Sequence, residues 1–182
     1  MVAMIAAVDI NNGIGYNNNL LFNCKEDMQH FRNVTLGKTI VMGRKTAESL
    51  PRGFLPHRNN LILSSGSKQQ YDIDGYFVKT TNESIEDITH NYKDIVVIGG
   101  GSIYEQFMPY TDKIYLTRFE YEADNCDTFF PDISDRFTES VIRKEILDVG
   151  VGNMVVSVVT TFTMATAEIL VGCDYLMGCD SK

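Results

Sequence analysis

Four stretches of this chain carry residue types and spacings that could do chemistry. The first is Gly99-Gly100-Gly101-Ser102, which follows the apolar run Ile95-Val96-Val97-Ile98. A strand that turns through glycines into a helix gathers bare backbone N–H groups at the positive end of a helix dipole, and phosphate binds there. Glycines that only let helix and strand pack closely are the alternative. The second is Asp27, four residues before Phe31 and seven before Val34. That spacing puts its carboxylate on the same helical stripe as Cys24, Met28, Phe31 and Val34. A carboxylate facing a core is costly unless something there needs it. A role as a second capping acid is the alternative, but Asn23 and Glu26 already stand at capping-box spacing.

The third is Arg44-Lys45-Thr46, two cations at the start of a short helix, where they oppose the dipole. Either an anion docks between them or the turn is simply solvated. The fourth is the glycine- and asparagine-rich stretch Asp9–Asn19, which reads as a mobile lid or as low-complexity asparagine. Ser64-Ser65-Gly66-Ser67 adds hydroxyls that can hold phosphate or ribose. Two phosphate-binding turns, each after a parallel strand, suit a ligand with separated phosphates. A dinucleotide with an extra 2′-phosphate fits, with Arg44 and Lys45 on that group. Gly99–Tyr104 is not a Rossmann fingerprint, since the third glycine is absent and the strand comes late.

The elements that must position these groups follow from pattern. Met1–Val8, Thr39–Met42, Leu61–Leu63 and Asp94–Ile98 are short apolar runs, expected as strands buried on both faces. Helices are expected from Asn23, from Arg44 to about Leu50, over Ser84–Tyr92 with Ile85 and Ile88 inward, and after the glycine turn until Pro109. Tyr76-Phe77-Val78 reads as an edge strand and Lys113–Tyr121 as a long strand. Phe137–Leu147 and Asn153–Phe162 read as an antiparallel hairpin around Gly150-Val151-Gly152. Alternation of strand and helix to about residue 110, then strands alone, gives an α/β class. The sheet is mostly parallel, with roughly eight strands, about four flanking helices and an antiparallel C-terminal edge.

Bulk properties bound the rest. A length of 182 residues suits one domain, and 44% hydrophobic with 22% charged residues is an ordinary globular balance. A net charge of −8 argues against a nucleic-acid surface. No apolar run is long enough to span a membrane, and Met1–Val8 lacks the basic flank of a signal peptide. Cys24, Cys126, Cys173 and Cys179 lack metal-type pairing and read as reduced thiols of a cytoplasmic protein. The segment Thr163–Lys182 is apolar but broken by Gly172 and Gly178, and it stands as an extension of unknown structure after a domain of residues 1–162.

Taken together, the residues resemble the dihydrofolate reductase family over roughly Met1 to Phe162. The resemblance rests on Met4–Asp9, Ile14-Gly15, Asp27 with Phe31, Ile40–Leu50, Leu61–Ser65, Val97–Gln106 and Asp127–Pro131. It implies NADPH-dependent reduction of 7,8-dihydrofolate to tetrahydrofolate, by hydride transfer to pterin C6 with protonation at N5. It implies that Asp27 is the acid of the pterin pocket, supported by Thr117, with Leu20 and Phe22 beside it. Ile5, Ala6, Met28, Phe31, Leu50, Leu55, Ile98 and Tyr104 would wall the substrate, and Arg58 would pair with its glutamate carboxylate. Ala7 and Ile14 would position the nicotinamide. Gly43, Arg44, Lys45, Thr46, Ser64, Ser65, Lys79, Gly100, Gly101, Ser102, Ile103 and Gln106 would hold the rest of the cofactor. No metal is implied. A cis Gly99–Gly100 bond is, as is a lid over Asp9–Cys24. The implied partner is dihydrofolate, and the implied state is a monomer unless the tail mediates association.

Two departures stand out. Leu21-Phe22 replaces the family's usual Pro-Trp pair, and Phe lacks the hydrogen-bond donor of Trp. Ser102 stands where an arginine is frequent. Two other readings share the scaffold. One is the related riboflavin-pathway reductase, against which Asp27, Phe31 and Arg58 argue; the other is a non-catalytic binding or assembly protein.

Overall fold

The computed structural model describes residues 1–66, 69–73, 76–133, 137–148 and 154–164. The chain runs β1 Val2–Val8, β2 Gly13–Tyr16, β3 Asn19–Leu20, α1 Lys25–Thr35, β4 Thr39–Gly43, α2 Arg44–Ser49 and β5 Asn59–Leu63. It continues with β6 Gln69–Ile73, β7 Tyr76–Thr81, α3 Ile85–Asn91, β8 Ile95–Gly99 and α4 Gly101–Phe107, the last ending in a single 3₁₀ turn at Met108–Tyr110. Then come β9 Lys113–Phe119, β10 Thr128–Phe129, β11 Phe137–Asp148 and β12 Met154–Met164.

Nine strands form the main sheet in the order β11-β12-β9-β1-β8-β4-β5-β7-β6. The pairs β9-β1, β1-β8, β8-β4, β4-β5 and β5-β7 are parallel. The central runs β1, β4 and β8 are almost entirely apolar because both faces are covered. Alternate residues go to opposite faces, as a two-residue period demands. Met4, Val41, Leu61 and Val97 pack with Ile88, Ile103 and Phe107 under α3 and α4. Ile5, Ile40, Met42, Ile62 and Val96 pack with Val34, Ala47 and Phe54 under α1 and α2.

The sheet's nine strands are in line with the roughly eight expected. Other expectations are corrected. Tyr76–Val78 is not an edge: β7 lies inside the sheet, and the polar strand β6 closes it in antiparallel register. Both ends of the sheet are therefore antiparallel, since β12 pairs antiparallel with β9 and with β11. Asn23 does not cap α1. The cap position is Cys24, without a side-chain cap bond, and its thiol lies 3.4 Å from Glu26 Oε2. By contrast, the Ser84 hydroxyl caps α3 by accepting from the Asp87 N–H at 3.1 Å. The lid is not an irregular loop either. β2 and β3 form a hairpin, and β10 adds to it as a separate three-stranded ribbon. The turn expected at Gly150-Val151-Gly152, the tail beyond Met164, Cys173 and Cys179 lie outside the described residues.

Candidate active site

The C-terminal ends of β1, β4, β5 and β8 open onto one cavity of about 490 Å³, the crevice in which open α/β sheets bind ligands. Asp27 lies in the first turn of α1 and lines that cavity with Met28 and Phe31. Behind it Thr117 is 2% exposed on β9, between Ala7 of β1 and Val159 of β12. The Thr117 side chain hydrogen-bonds the Asp27 carboxylate. Burial raises the Asp27 carboxyl above the usual carboxylate range, and the Thr117 bond and the charge of His30 one turn along α1 oppose that rise. On the other wall the Tyr104 hydroxyl donates to the Ile5 carbonyl at 2.7 Å. Burial, then the field of Asp27, hold the Tyr104 proton on.

The cavity has an apolar half and a polar half. Ile5, Ala6, Ala7, Leu50, Leu55 and Ile98 line the apolar half near Asp27; Gly43, Arg44, Lys45, Thr46, Ser64, Ser65, Gly100, Ser102 and Ile103 line the polar half. The Gly100 carbonyl already accepts from the Ile103 and Tyr104 N–H groups, so the Gly101 and Ser102 amides precede the first intrahelical bond. The Gly99–Gly100 bond is cis. Ile14, Leu20, Leu21 and Phe22 of the lid complete the wall. Leu20 is 72% exposed at the mouth. The Phe22 ring packs against Phe119 at a centroid distance of 4.3 Å and edge-on to Tyr121 at 6.3 Å, so it fills rather than donates.

Most residues expected at the site therefore meet in one place; five stand off the cavity wall. Thr117 acts from behind Asp27. Arg58 is held by bonds to Thr35 Oγ1 at 2.9 Å and the Pro56 carbonyl at 2.6 Å, with burial and the charge of Arg32 lowering its pKa. Gly101 lies beneath β10: a Cβ there would sit 2.9 Å from the Phe129 carbonyl, so only glycine lets the ribbon pass. The Gln106 amide folds back onto the Ser102 carbonyl at 2.9 Å. Lys79 is committed elsewhere, with its amine 2.6 Å from Glu83 Oε1 and 3.1 Å from the Tyr92 hydroxyl.

The cavity also takes Gly99 of the glycine turn and Gly15, Asn18 and Asn19 of the lid stretch, together with Ser49, Leu63 and Thr128, which sequence reasoning did not give a role at the site. Most flank residues that it did name, so adjacency was the available signal. Thr128 belongs to the Asp127–Pro131 motif, but its place in the wall depends on the ribbon. Cys24 and Cys126 are free thiols.

Comparison with known proteins gives a consistent result. The family model described as dihydrofolate reductase matches residues 1–156. The dihydrofolate reductase of Haemophilus influenzae is 39% identical over 132 residues, covering 72% of this chain and 79% of the relative. That of Bacillus subtilis is 33% identical over 135 residues, covering 74% and 78%. A solved structure of Enterococcus faecalis dihydrofolate reductase complexed with NADP(H) and RAB-propyl superimposes with a TM-score of 0.72. It is 27% identical and covers 91% of this chain and 97% of that one. With a buried acid lining the crevice and a family match over most of its length, the chain belongs to the dihydrofolate reductase family.

Proposed function

We propose that this cavity reduces dihydrofolate with NADPH, and that its residues divide the work as their positions suggest. Asp27 accepts hydrogen bonds from the pterin N3 and 2-amino group, and Thr117 fixes the carboxylate from behind. Because burial favours the protonated carboxyl, Asp27 promotes protonation at N5 while the apolar walls exclude bulk water. When bound, NADPH supplies the hydride that reaches pterin C6.

The residues of the polar half fit that cofactor. Ser64, Ser65 and the Gly101 and Ser102 amides supply neutral donors, while Arg44 and Lys45 supply charge for a 2′-phosphate. Arg44 Nη1 lies 2.5 Å from Glu48 Oε1 in an exposed pair, which is weak enough to exchange for a phosphate. Ala7 and Ile14 border the place where the two ligand rings meet. Arg58, with Arg32 beside it, takes the glutamate carboxylate.

Asp27 carries this reading: a raised carboxyl in a mostly apolar end of a cavity whose other end is rich in anion-binding donors. We further place the working unit in residues 1–162, with the segment after it as an extension, and the protein as a cytoplasmic monomer without nucleic-acid partners. Strand β12 runs to Met164, two residues past that boundary, and no helix among the described residues is long and apolar enough to cross a membrane. The test is steady-state kinetics of Arg58→Ala. It should raise the dihydrofolate KM by about tenfold or more, as loss of a charge-assisted bond to a carboxylate does, and leave the NADPH KM unchanged. Equal changes in both constants would contradict the division of the cavity.

A further inference from the structure

We infer that Asp9, which does not line the cavity, is a positioning residue for hydride transfer: its carboxylate ties the root of the lid to the segment following β9. Asp9 is the first residue after β1 and is 1% exposed. Oδ1 accepts from the Asn11 N–H at 2.8 Å and from the Gly13 N–H at 2.7 Å. Oδ2 accepts from the Ala123 N–H at 3.2 Å, across a sequence separation of 114 residues. The backbone repeats the tie. The Asp9 N–H donates to the Gly13 carbonyl at 3.0 Å, the Asn12 N–H to the Asp9 carbonyl at 3.2 Å, and the Ile10 N–H to the Tyr121 carbonyl at 3.2 Å.

The knot is closely built. A Cβ on Gly13 would lie 2.7 Å from Cys126 Sγ and 3.0 Å from Asp9 Oδ1, so the lid turns tightly against the carboxylate because residue 13 has no side chain. A buried amide left without an acceptor, as at Gly13, is costly, and the part-buried amides of Asn11 and Ala123 share the same acceptor group. The next residue, Ile14, already lines the cavity, and Leu20 follows across the hairpin. Whatever fixes Gly13 therefore fixes where the lid presents its apolar side chains to the reacting rings. Asp9 acts through the lid, not on the ligands. This inference rests on the proposed function for its kinetic consequence and on geometry alone for the tie itself.

Asp9→Asn separates the two halves of the knot. It keeps an oxygen for Asn11 and Gly13 but turns an amide N–H against the Ala123 N–H. In the full chain, amide hydrogen exchange should show lost protection at Ala123. Single-turnover hydride transfer at saturating NADPH and dihydrofolate should slow about tenfold, since small misplacements near reacting groups cost that much or more. The dihydrofolate KM should stay within twofold and the melting temperature near that of the parent. Asp9→Ala should lose protection at Asn11 and Gly13 as well and slow further. Unchanged exchange at Ala123, or hydride transfer at the parent rate in Asp9→Asn, would overturn the inference. So would a loss of rate that only follows a fall in melting temperature. A parent chain unable to oxidise NADPH with dihydrofolate would refute the functional reading instead, and the exchange arm would still judge the tie.

Discussion

At the scale of single residues, the proposed chemistry turns on Asp27 and Phe22. The folded chain holds the Asp27 proton more tightly than the unfolded chain does, because burial raises its pKa. The stability this contributes is present below the unfolded carboxylate pKa and is lost as pH rises through the folded value. Asp27→Asn should therefore raise the melting temperature at neutral pH, with the gain shrinking as pH falls into the ordinary carboxylate range; thermal scans across that window check it. A gain that grew on acidification would have the wrong sign. Phe22→Trp places an indole N–H where the wild-type ring offers no donor, and should alter both turnover and its pH midpoint. Kinetics identical to the parent would mean that a donor at position 22 plays no part in the reaction.

At the scale of elements, the polar half of the cavity is built from the starts of α2 and α4. Arg44→Ala removes the cation that can exchange Glu48 for a phosphate. It should raise the NADPH KM about fivefold or more, within the range of a charge-assisted bond, and the NADH KM far less. Equal effects would remove Arg44 from 2′-phosphate recognition. The elements also show where sequence was legible. β1, β4, β5 and β8 are short apolar runs buried on both faces, and α3 has a serine cap, so local pattern matched tertiary place. The β2–β3–β10 ribbon was not legible, because asparagine and glycine have low strand propensity. Distant groups hold it instead. The Asp127 N–H donates to the Gly15 carbonyl at 3.1 Å, and the Asp127 carboxylate accepts from the Asn17 N–H at 2.9 Å. Lys79, which the resemblance places at the cofactor, is paired here with Glu83, four residues on.

At the scale of the whole molecule, β9 joins two kinds of sheet. It pairs in parallel with β1 and antiparallel with β12, and it carries Thr117 between fully buried Leu116 and Phe119. Asp27 and Thr117 stand 90 residues apart, about half the chain, so only the resemblance pointed to their link. Leu116→Ala should destabilise the chain by about 3 kcal/mol, as large-to-small changes at fully buried sites do. Urea unfolding should show a lower midpoint with an unchanged slope. Because Leu116 and the next residue, Thr117, point to opposite faces of β9, activity should fall only with the folded fraction.

The most direct measurement is the rate of single-turnover hydride transfer against pH for the parent and for Asp27→Asn. A raised carboxyl that promotes protonation predicts a parent rate that falls as pH rises through a midpoint above the usual carboxylate range. It also predicts an Asn variant about a hundredfold slower at low pH and lacking that limb. Parallel profiles, or equal rates at low pH, would contradict it.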